Sequence, residues 1–195
     1  MKTDIILAGV GGQGILTIAA TIGMAASESN LFLKQAEVHG MSQRGGAVES
    51  HLRLSDQEIF SDLISQGEAD IILSVEPMES LRYLPYLSEN GWLVSNTKPY
   101  RKITGYPDEQ ELLKEIRKVP CHIAVDADDI ASNLGSRRSS NIIMLGAATS
   151  FLNLPFDAFK ESIKEFFQRK GKDVVEKNIR ALEAGRAFAE KEKNS

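Results

Sequence analysis

The sequence predicts an α/β fold, in which a mostly parallel sheet is flanked by helices and the C-terminal third is helical. Short apolar segments alternate with helical ones up to about residue 125, a glycine-rich turn joins the first two of them, and three helical patterns close the chain. A chain of 195 residues can bury a sizeable core without disulfides. We therefore expect one domain over residues 1–195, with its helical part at about 141–192.

The first predicted unit is a strand, a helix and a returning strand. Residues 4–10 are apolar and suit a buried strand of a parallel sheet. Residues 15–29 are rich in Ala, Ile, Leu and Met and predict a helix, and residues 31–36 predict the second strand. The segment 37–46 is polar, contains three glycines and has no periodicity. It is therefore predicted to be a loop.

Strands and helices continue to alternate after this loop. Strands are predicted at 47–54, 69–75, 92–95 and 122–125, and helices at 78–87 and 109–118, with a loop at 98–107. Three further helices are predicted at 141–152, 156–169 and 173–192. Ala181 and Gly185 lie one turn apart in the last of these helices and would let another element pack closely against them.

Composition excludes several classes of protein. The net charge of −4 and the pI of 5.5 argue against a general nucleic-acid binder. Cys121 is the single cysteine, which excludes an internal disulfide, a four-cysteine iron–sulfur cluster and a thiolate zinc site. The sequence has no secretion signal at its start and no apolar run that could span a membrane. We expect a cytoplasmic protein with no metal site of its own.

The strongest local pattern is a glycine motif between the first predicted strand and helix. Glycines at these positions allow a tight turn and let a phosphate approach the backbone, while the helix N-terminus points N–H groups at it. This arrangement is typical of a Rossmann-like fold. The alternative is that the glycines only close the turn and let the helix pack on the sheet. The candidate ligand contacts are Gly9, Gly11, Gly12, Gln13 and Gly14.

The predicted loop at 37–46 contains two candidate ligand-binding residues, of which the first is the stronger. A dinucleotide site needs a carboxylate at the end of its second strand to hold the ribose hydroxyls, about 20 residues after the glycines. Glu37 is in this position, since it lies 37 − 14 = 23 residues after Gly14. His39 is a weaker candidate, because no second histidine or cysteine at metal-ligand spacing accompanies it. His51 and His122 lie in predicted strands, where a packed or exposed residue without a role is expected.

Arg44, Gly45 and Gly46 form the third candidate group. The guanidinium of Arg44 is suited to clamp an anion bidentately while the flexible glycine backbone adds N–H donors. The alternative is an arginine that ties the loop to a neighbouring carboxylate.

Two polar clusters occur in the second half of the chain. Arg137 and Arg138 precede a predicted helix and indicate either an anion site or a solvated loop. Asp126, Asp128 and Asp129 follow a predicted strand, but their spacing matches no calcium loop. A helix start explains these aspartates.

Two segments together resemble the gamma-type subunits of 2-oxoacid:ferredoxin oxidoreductases. They are Gly-Val-Gly-Gly-Gln-Gly-Ile-Leu-Thr at 9–17 and Glu-Val-His-Gly-Met-Ser-Gln-Arg-Gly-Gly at 37–46. The second segment is similar to the small (beta) subunits of the indolepyruvate:ferredoxin branch of this family. Asp-Ala-Asp-Asp-Ile-Ala at 126–131 and Asn-Ile-Ile-Met-Leu-Gly at 141–146 extend the resemblance over essentially the whole chain.

The resemblance implies a subunit of an enzyme that oxidatively decarboxylates indolepyruvate and other arylpyruvates. The products are arylacetyl-coenzyme A, CO2 and reduced ferredoxin. Thiamine diphosphate and 4Fe-4S clusters are expected on a large alpha subunit, since this chain lacks the Gly-Asp-Gly that opens the family's thiamine-diphosphate motif. This chain would bind no cofactor tightly and, inactive alone, would position coenzyme A as co-substrate. The resemblance implies that coenzyme A is contacted by Gly11, Gly12, Gly14, Arg44, Gly45 and Gly46.

Two alternatives stay open from the sequence. A free-standing NAD(P)-dependent oxidoreductase would use the glycine motif and Glu37, although no clear Tyr-x-x-x-Lys or comparable catalytic set follows. A noncatalytic scaffold subunit would use the glycines and Arg44 only to build an interface. The preferred 2-oxo acid, the stoichiometry and the formation of a homodimer by the isolated chain are also left open.

Overall fold

The computed structural model describes residues 1–39, 46–100 and 105–193, and for His39 the backbone alone. In this part of the chain, six strands form one sheet: β1 Lys2–Val10, β2 Phe32–His39, β3 Ala47–Ser55, β4 Ala69–Ser74, β5 Leu87–Asn96 and β6 His122–Val125. The α-helices are α1 Ile15–Glu28, α2 Pro77–Arg82, α3 Glu109–Ile116, α4 Ala127–Asn133, α5 Ser140–Ala148, α6 Phe156–Phe167 and α7 Lys172–Lys193. The predicted α/β class with a helical C-terminal part is confirmed.

The sheet is mixed, with the strand order β2-β3-β1-β4-β5-β6. β1, β4, β5 and β6 pair in parallel, whereas β3 runs antiparallel to both of its neighbours, β1 and β2. β1 and β2 therefore run in the same direction, as predicted for the strand–helix–strand unit. However, β3 lies between them, which the apolar pattern of the sequence did not predict.

A buried ion pair joins β3 to β1. Asp4 is fully buried and lies opposite Arg53, whose Nε and Nη2 donate to its two carboxylate oxygens at 2.8 and 3.0 Å. Arg53 Nη1 also donates to the carbonyls of Ser61 and Leu63, both at 3.1 Å. A buried carboxylate is costly without a partner of this kind, so the pair favours this strand register and holds the segment after β3 in place.

Helices cover both faces of the sheet. On one face, α1, α4, α5, α6 and α7 pack on the larger core. On the other face, α2 and α3 pack on a smaller cluster that includes Ile6, Ile72, Leu93 and Ile116. The connection that follows β1 contains α1 and crosses one face of the sheet, whereas the connection that follows β4 contains α2 and crosses the other face. The direction in which strands are added therefore reverses between β1 and β4. Open α/β sheets bind ligands at such a point, outside the carboxyl ends of the strands.

The bounds of several elements differ from the prediction. β5 begins at Leu87, five residues earlier than predicted, and the helix predicted at 141–152 ends at Ala148. β2 continues through His39, so Glu37 and His39 lie on a strand and not in a loop. The helix predicted at 78–87 is shorter, because α2 ends at Arg82 and is followed by a 3₁₀ turn at Leu84–Tyr86. Pro85 lies in this turn and has no N–H with which to continue an α-helix.

The aspartates after β6 start a helix, as predicted. Asp126 is the N-cap of α4, and its Oδ1 accepts a hydrogen bond from the backbone N–H of Asp129 at 2.9 Å. Within the ranges that the structure describes, no group of three His, Cys, Asp or Glu residues is placed to hold a metal ion. No described helix is both long and apolar enough to cross a membrane.

α5 and α7 approach each other so closely that each needs a glycine. A Cβ atom on Gly185 would lie 2.0 Å from the carbonyl oxygen of Ile143, and one on Gly146 would lie 2.1 Å from that of Leu182. The close packing predicted at Gly185 is therefore confirmed. α5 is buried from Ile142 to Ala148, which makes it the central helix of the larger core.

Gly185→Ala is expected to lower the free energy of unfolding by about 2 kcal/mol, because the contacting atoms belong to backbone that cannot move aside. Helix propensity alone predicts the opposite sign, a gain of about 1 kcal/mol. Urea denaturation distinguishes the two. Gly23→Ala in α1 is the matched control, since its Cβ would meet only the flexible end of Leu33, at 3.1 Å. A stabilised Gly185→Ala variant would contradict the packing argument.

His51 is a packed residue of β3, as expected. It is buried, and its Nδ1 accepts a hydrogen bond from the backbone N–H of Ile64 at 3.0 Å. Burial lowers the pKa of His51 below its ordinary value of 6.5, although the carboxylate of Glu49 partly opposes this. The folded protein therefore favours the neutral imidazole.

This pKa shift predicts a loss of stability in mild acid. The unfolded chain takes up the proton more readily, so the contribution of His51 is present above its unfolded pKa and is lost as the pH falls from about 6.5 through the folded pKa. His51→Gln keeps an acceptor for Ile64 but does not titrate. Chemical denaturation between about pH 7.5 and about pH 5.5 should show a smaller loss for the variant. Equal losses would show that His51 does not contribute.

Candidate functional site

The glycine motif lies where the strand order reverses, at the carboxyl ends of β1 and β4. A Cβ atom on Gly9 would lie 2.4 Å from Cγ2 of Val75, so a glycine allows the two strand ends to approach each other. Gln13 then joins them, because its Oε1 accepts from the N–H of Val10 at 2.8 Å and its Nε2 donates to the carbonyl of Val75 at 3.2 Å. The side-chain amide of Gln13 thus holds the turn together.

The other glycines shape the start of α1. Gly12 and Gly14 have φ angles of 100° and 83°, which side chains rarely tolerate. Gly14 is the N-cap of α1, and no side chain caps this helix end. N–H groups at the helix start are therefore left for another acceptor. The N–H of Gly11 has a different partner, since it donates to the carbonyl of Gly46 at 2.9 Å.

α5 begins beside the start of α1. Nδ2 of Asn141 donates to the carbonyl of Gly14 at 3.3 Å, which links the two helix ends. The N-cap of α5 is Ser139, and its side chain makes no capping hydrogen bond. Two helix starts without a side-chain cap therefore lie together, and a 3₁₀ turn at Arg137–Ser139 leads directly into the second of them. Each helix start has a positive partial charge that favours an anion.

A cavity of about 470 Å³ opens between these two helix starts, and we call it the glycine-loop cavity. Arg137 and Arg138, which precede α5 in the chain, line this cavity. The residues of the glycine turn, Gly12, Gln13 and Gly14, line it as well. The carboxylate of Asp128 also borders it and accepts a hydrogen bond from Nδ2 of Asn96 at 3.1 Å. Among the described lining residues, two side chains are thus cationic and one is anionic.

Glu76 positions one wall of this cavity. Its fully buried carboxylate accepts hydrogen bonds from the N–H of Glu79 at 2.9 Å, from the N–H of Tyr100 at 3.2 Å and from the hydroxyl of Tyr106. Burial, together with the hydrogen bond to Glu76, raises the pKa of Tyr106 far above its ordinary value. Tyr106 therefore stays a neutral donor, and Tyr100 is held where it lines the cavity. No sequence pattern marks Glu76, because its partners Tyr100 and Tyr106 lie 24 and 30 positions away in the chain.

Glu37 lies away from the glycine motif. It is on β2, where Nε2 of Gln35 donates to its Oε2 at 3.2 Å, and β3 separates β2 from β1. Two strand spacings amount to roughly 10 Å. In a dinucleotide site, the strand with the ribose-binding carboxylate lies next to β1. Glu37 does not have that position here.

The remaining predicted residues lie partly outside the described ranges. Arg44, Gly45 and the side chain of His39 are not among the described parts of the chain. Gly46 is described, and its hydrogen bond with Gly11 brings the end of the 37–46 segment next to the glycine motif. Arg137 and Arg138 border the glycine-loop cavity. From the sequence, either an anion site or a solvated loop was expected for these two residues.

The fold and this site define an α/β protein whose cleft, at the reversal point of the sheet, is suited to a phosphate-bearing ligand. Comparison with known proteins is more specific. The chain belongs to the pyruvate ferredoxin/flavodoxin oxidoreductase family, whose model matches residues 4–188. It is accordingly a small subunit of a 2-oxoacid:ferredoxin oxidoreductase.

The similarity extends over whole subunits. The chain is 38% identical over 194 residues to indolepyruvate oxidoreductase subunit IorB of Archaeoglobus fulgidus, covering 95% of this chain and 94% of the relative. This confirms the resemblance to the indolepyruvate branch. The fold is similar to that of the pyruvate oxidoreductase subunit PORC of Thermotoga maritima, with a TM-score of 0.73, 24% identity and 96% of each chain covered.

A second solved structure is that of a 2-oxoglutarate:ferredoxin oxidoreductase from Magnetococcus marinus with 2-oxoglutarate, coenzyme A and succinyl-CoA bound. It matches with a TM-score of 0.77 and 21% identity over 97% of this chain. The chain spans about a third of that longer polypeptide, 31% of its length.

Gln13→Ala is expected to lower the free energy of unfolding by about 1 kcal/mol, because it removes two hydrogen bonds and leaves the N–H of Val10 without its acceptor, whereas the carbonyl of Val75 keeps a hydrogen bond from Nδ2 of Asn96 at 3.3 Å. Thermal or urea denaturation measures this. Gln110→Ala, on the exposed surface of α3, is the matched control and should be close to neutral. Equal effects of the two substitutions would show that Gln13 does not hold the turn.

Proposed function

We propose that this chain positions coenzyme A in an oxidoreductase that acts on indolepyruvate and other arylpyruvates. The products of the complex would be arylacetyl-coenzyme A, CO2 and reduced ferredoxin. The choice of substrate is supported by the similarity to the indolepyruvate subunit of Archaeoglobus fulgidus. The choice of coenzyme A is supported by the similar fold in the Magnetococcus marinus enzyme, a structure that contains this co-substrate.

The observation that carries the proposal is the convergence of two helix starts without a side-chain cap and two arginines on the glycine-loop cavity. The pyrophosphate of coenzyme A has two negative charges and several acceptor oxygens. Backbone N–H groups at a helix start match such a group, and arginine adds charge-assisted hydrogen bonds. We expect Arg44 to reach the same phosphates, since Gly46 lies against the motif through Gly11.

We assign the redox cofactors to a large partner subunit. A four-cysteine cluster does not fit a chain whose single cysteine is Cys121, and the chain has no Gly-Asp-Gly motif for thiamine diphosphate. When bound by the partner, thiamine diphosphate supplies the carbanion chemistry of decarboxylation. The contribution of this chain is to orient coenzyme A, so that its thiol meets the partner's active site in a productive geometry.

A nicotinamide dinucleotide fits this geometry less well. The adenosine ribose of such a cofactor needs a carboxylate on the strand beside β1, and that place is taken by β3 while Glu37 lies on β2. The insertion of β3 therefore favours coenzyme A positioning over a free-standing dehydrogenase.

Arg138→Gln and Arg44→Ala are each expected to raise the apparent KM for coenzyme A about tenfold or more in the assembled complex. The loss of one charge-assisted hydrogen bond to a phosphate has this magnitude. Decarboxylation should continue, because the arylpyruvate is bound elsewhere. Steady-state kinetics with varied coenzyme A, together with CO2 release in a single turnover without coenzyme A, measures both effects.

Arg117→Gln is the matched control for Arg138→Gln. Arg117 is an exposed arginine at the end of α3, a helix that packs on the opposite face of the sheet from α5. Native mass spectrometry of each complex reports assembly separately. An unchanged KM with weakened assembly would favour the scaffold alternative over coenzyme A positioning.

A further inference from the structure

A second cavity, of about 730 Å³, adjoins the glycine-loop cavity. The two cavities share Arg137, Arg138 and Asn141, so these residues form the boundary between them. The walls of the second cavity come from α1, from the end of α4 and the segment that joins it to α5, from the end of α6 and from α7. The proposed function assigns a ligand to the glycine-loop cavity and none to this second cavity.

This second cavity, the basic cavity, is strongly cationic. Lys170, in the 3₁₀ turn after α6, and Lys177, on α7, line it in addition to the two shared arginines. No Asp or Glu is among its described lining residues, although the whole protein has a net charge of −4. Among the described residues, neither lysine forms an ion pair, and the ammonium of Lys170 lies over the ring of Phe167, 5.2 Å from its centroid. Four cations without a carboxylate favour an anionic occupant.

Hydrogen bonds join the buried polar residues that line the basic cavity. Ser139 and Asn178 are both buried, and the Ser139 hydroxyl donates to Oδ1 of Asn178 at 3.1 Å. Nδ2 of Asn178 donates in turn to the carbonyl of Val174 at 2.8 Å, which fixes its orientation. Phe167 and Val174 add apolar surface. A polar floor, cationic rims and an apolar wall suit a nucleoside that carries a phosphate.

We propose that the basic cavity binds the adenosine 3′-phosphate end of coenzyme A. This rests on the proposed function, in which the glycine-loop cavity holds the pyrophosphate of the same molecule. Coenzyme A has two separate phosphate groups, the pyrophosphate and the ribose 3′-phosphate, and the chain offers two adjoining cationic cavities. Arg137 and Arg138, at the boundary, lie between the two groups. Lys170 and Lys177 then distinguish coenzyme A from the same molecule without its 3′-phosphate, because that phosphate is the only group they contact.

The test compares coenzyme A with dephospho-coenzyme A, which lacks only the 3′-phosphate, in the assembled complex. The wild type should have a KM for coenzyme A at least tenfold lower than for dephospho-coenzyme A. In the double variant Lys170→Gln/Lys177→Gln, the KM for coenzyme A should rise about tenfold while that for dephospho-coenzyme A stays the same. Both lysines are exposed, so folding should not change. Lys114→Gln, on α3, controls for loss of surface charge.

Other outcomes would overturn the inference. If the double variant keeps the wild-type ratio of the two KM values, or raises both by the same factor, the 3′-phosphate is not bound by these lysines. If inorganic phosphate stimulates the reaction of dephospho-coenzyme A and the wild type shows no preference for coenzyme A, the cavity binds free phosphate instead. An effect of Arg138→Gln on both co-substrates would leave the proposed function standing in these cases. If Arg138→Gln has no effect on either, the proposed function fails as well.

Discussion

The site depends on the contact between the starts of α1 and α5. Asn141 donates a hydrogen bond to the carbonyl of Gly14, a residue 127 positions away in the chain. α5 can reach this place because the rest of the helix is buried between the sheet and α7, where Gly146 and Gly185 allow the closest approach of the two backbones. Tight packing in the core thus fixes the position of N–H groups at the surface.

The charge around the two cavities is opposite in sign to the net charge of the protein. The chain is acidic overall, yet the described residues around the start of α5 bring Arg137, Arg138, Lys170 and Lys177 to two adjoining cavities. The one carboxylate among the described residues that border either cavity, Asp128, is held by Asn96. Two buried acidic residues have structural roles instead, since Asp4 pairs with Arg53 and Glu76 holds Tyr100 and Tyr106 in place.

Much of the fold could be predicted from the sequence, because buried strands and amphipathic helices leave a local periodic pattern. The glycine turn, the helix start at Asp126 and the close packing at Gly185 were predictable because each depends on the residue type at a single local position. Strand order is not local: no pattern in residues 47–55 shows that β3 lies between β1 and β2. The same limit applies to the site, since the sequence flagged Arg137 and Arg138 but contained no signal that they lie beside the glycine loop.

The most direct test of the account is an experimental structure of the anaerobically purified complex with coenzyme A bound. In this structure, we expect the pyrophosphate within hydrogen-bond distance of the backbone at Gly12 to Gly14 or at the start of α5, with Arg138 beside it. Coenzyme A bound entirely by the partner subunit, with its phosphates away from the glycine-loop cavity, would contradict the account. The chain would then have to be regarded as a scaffold for a site built elsewhere.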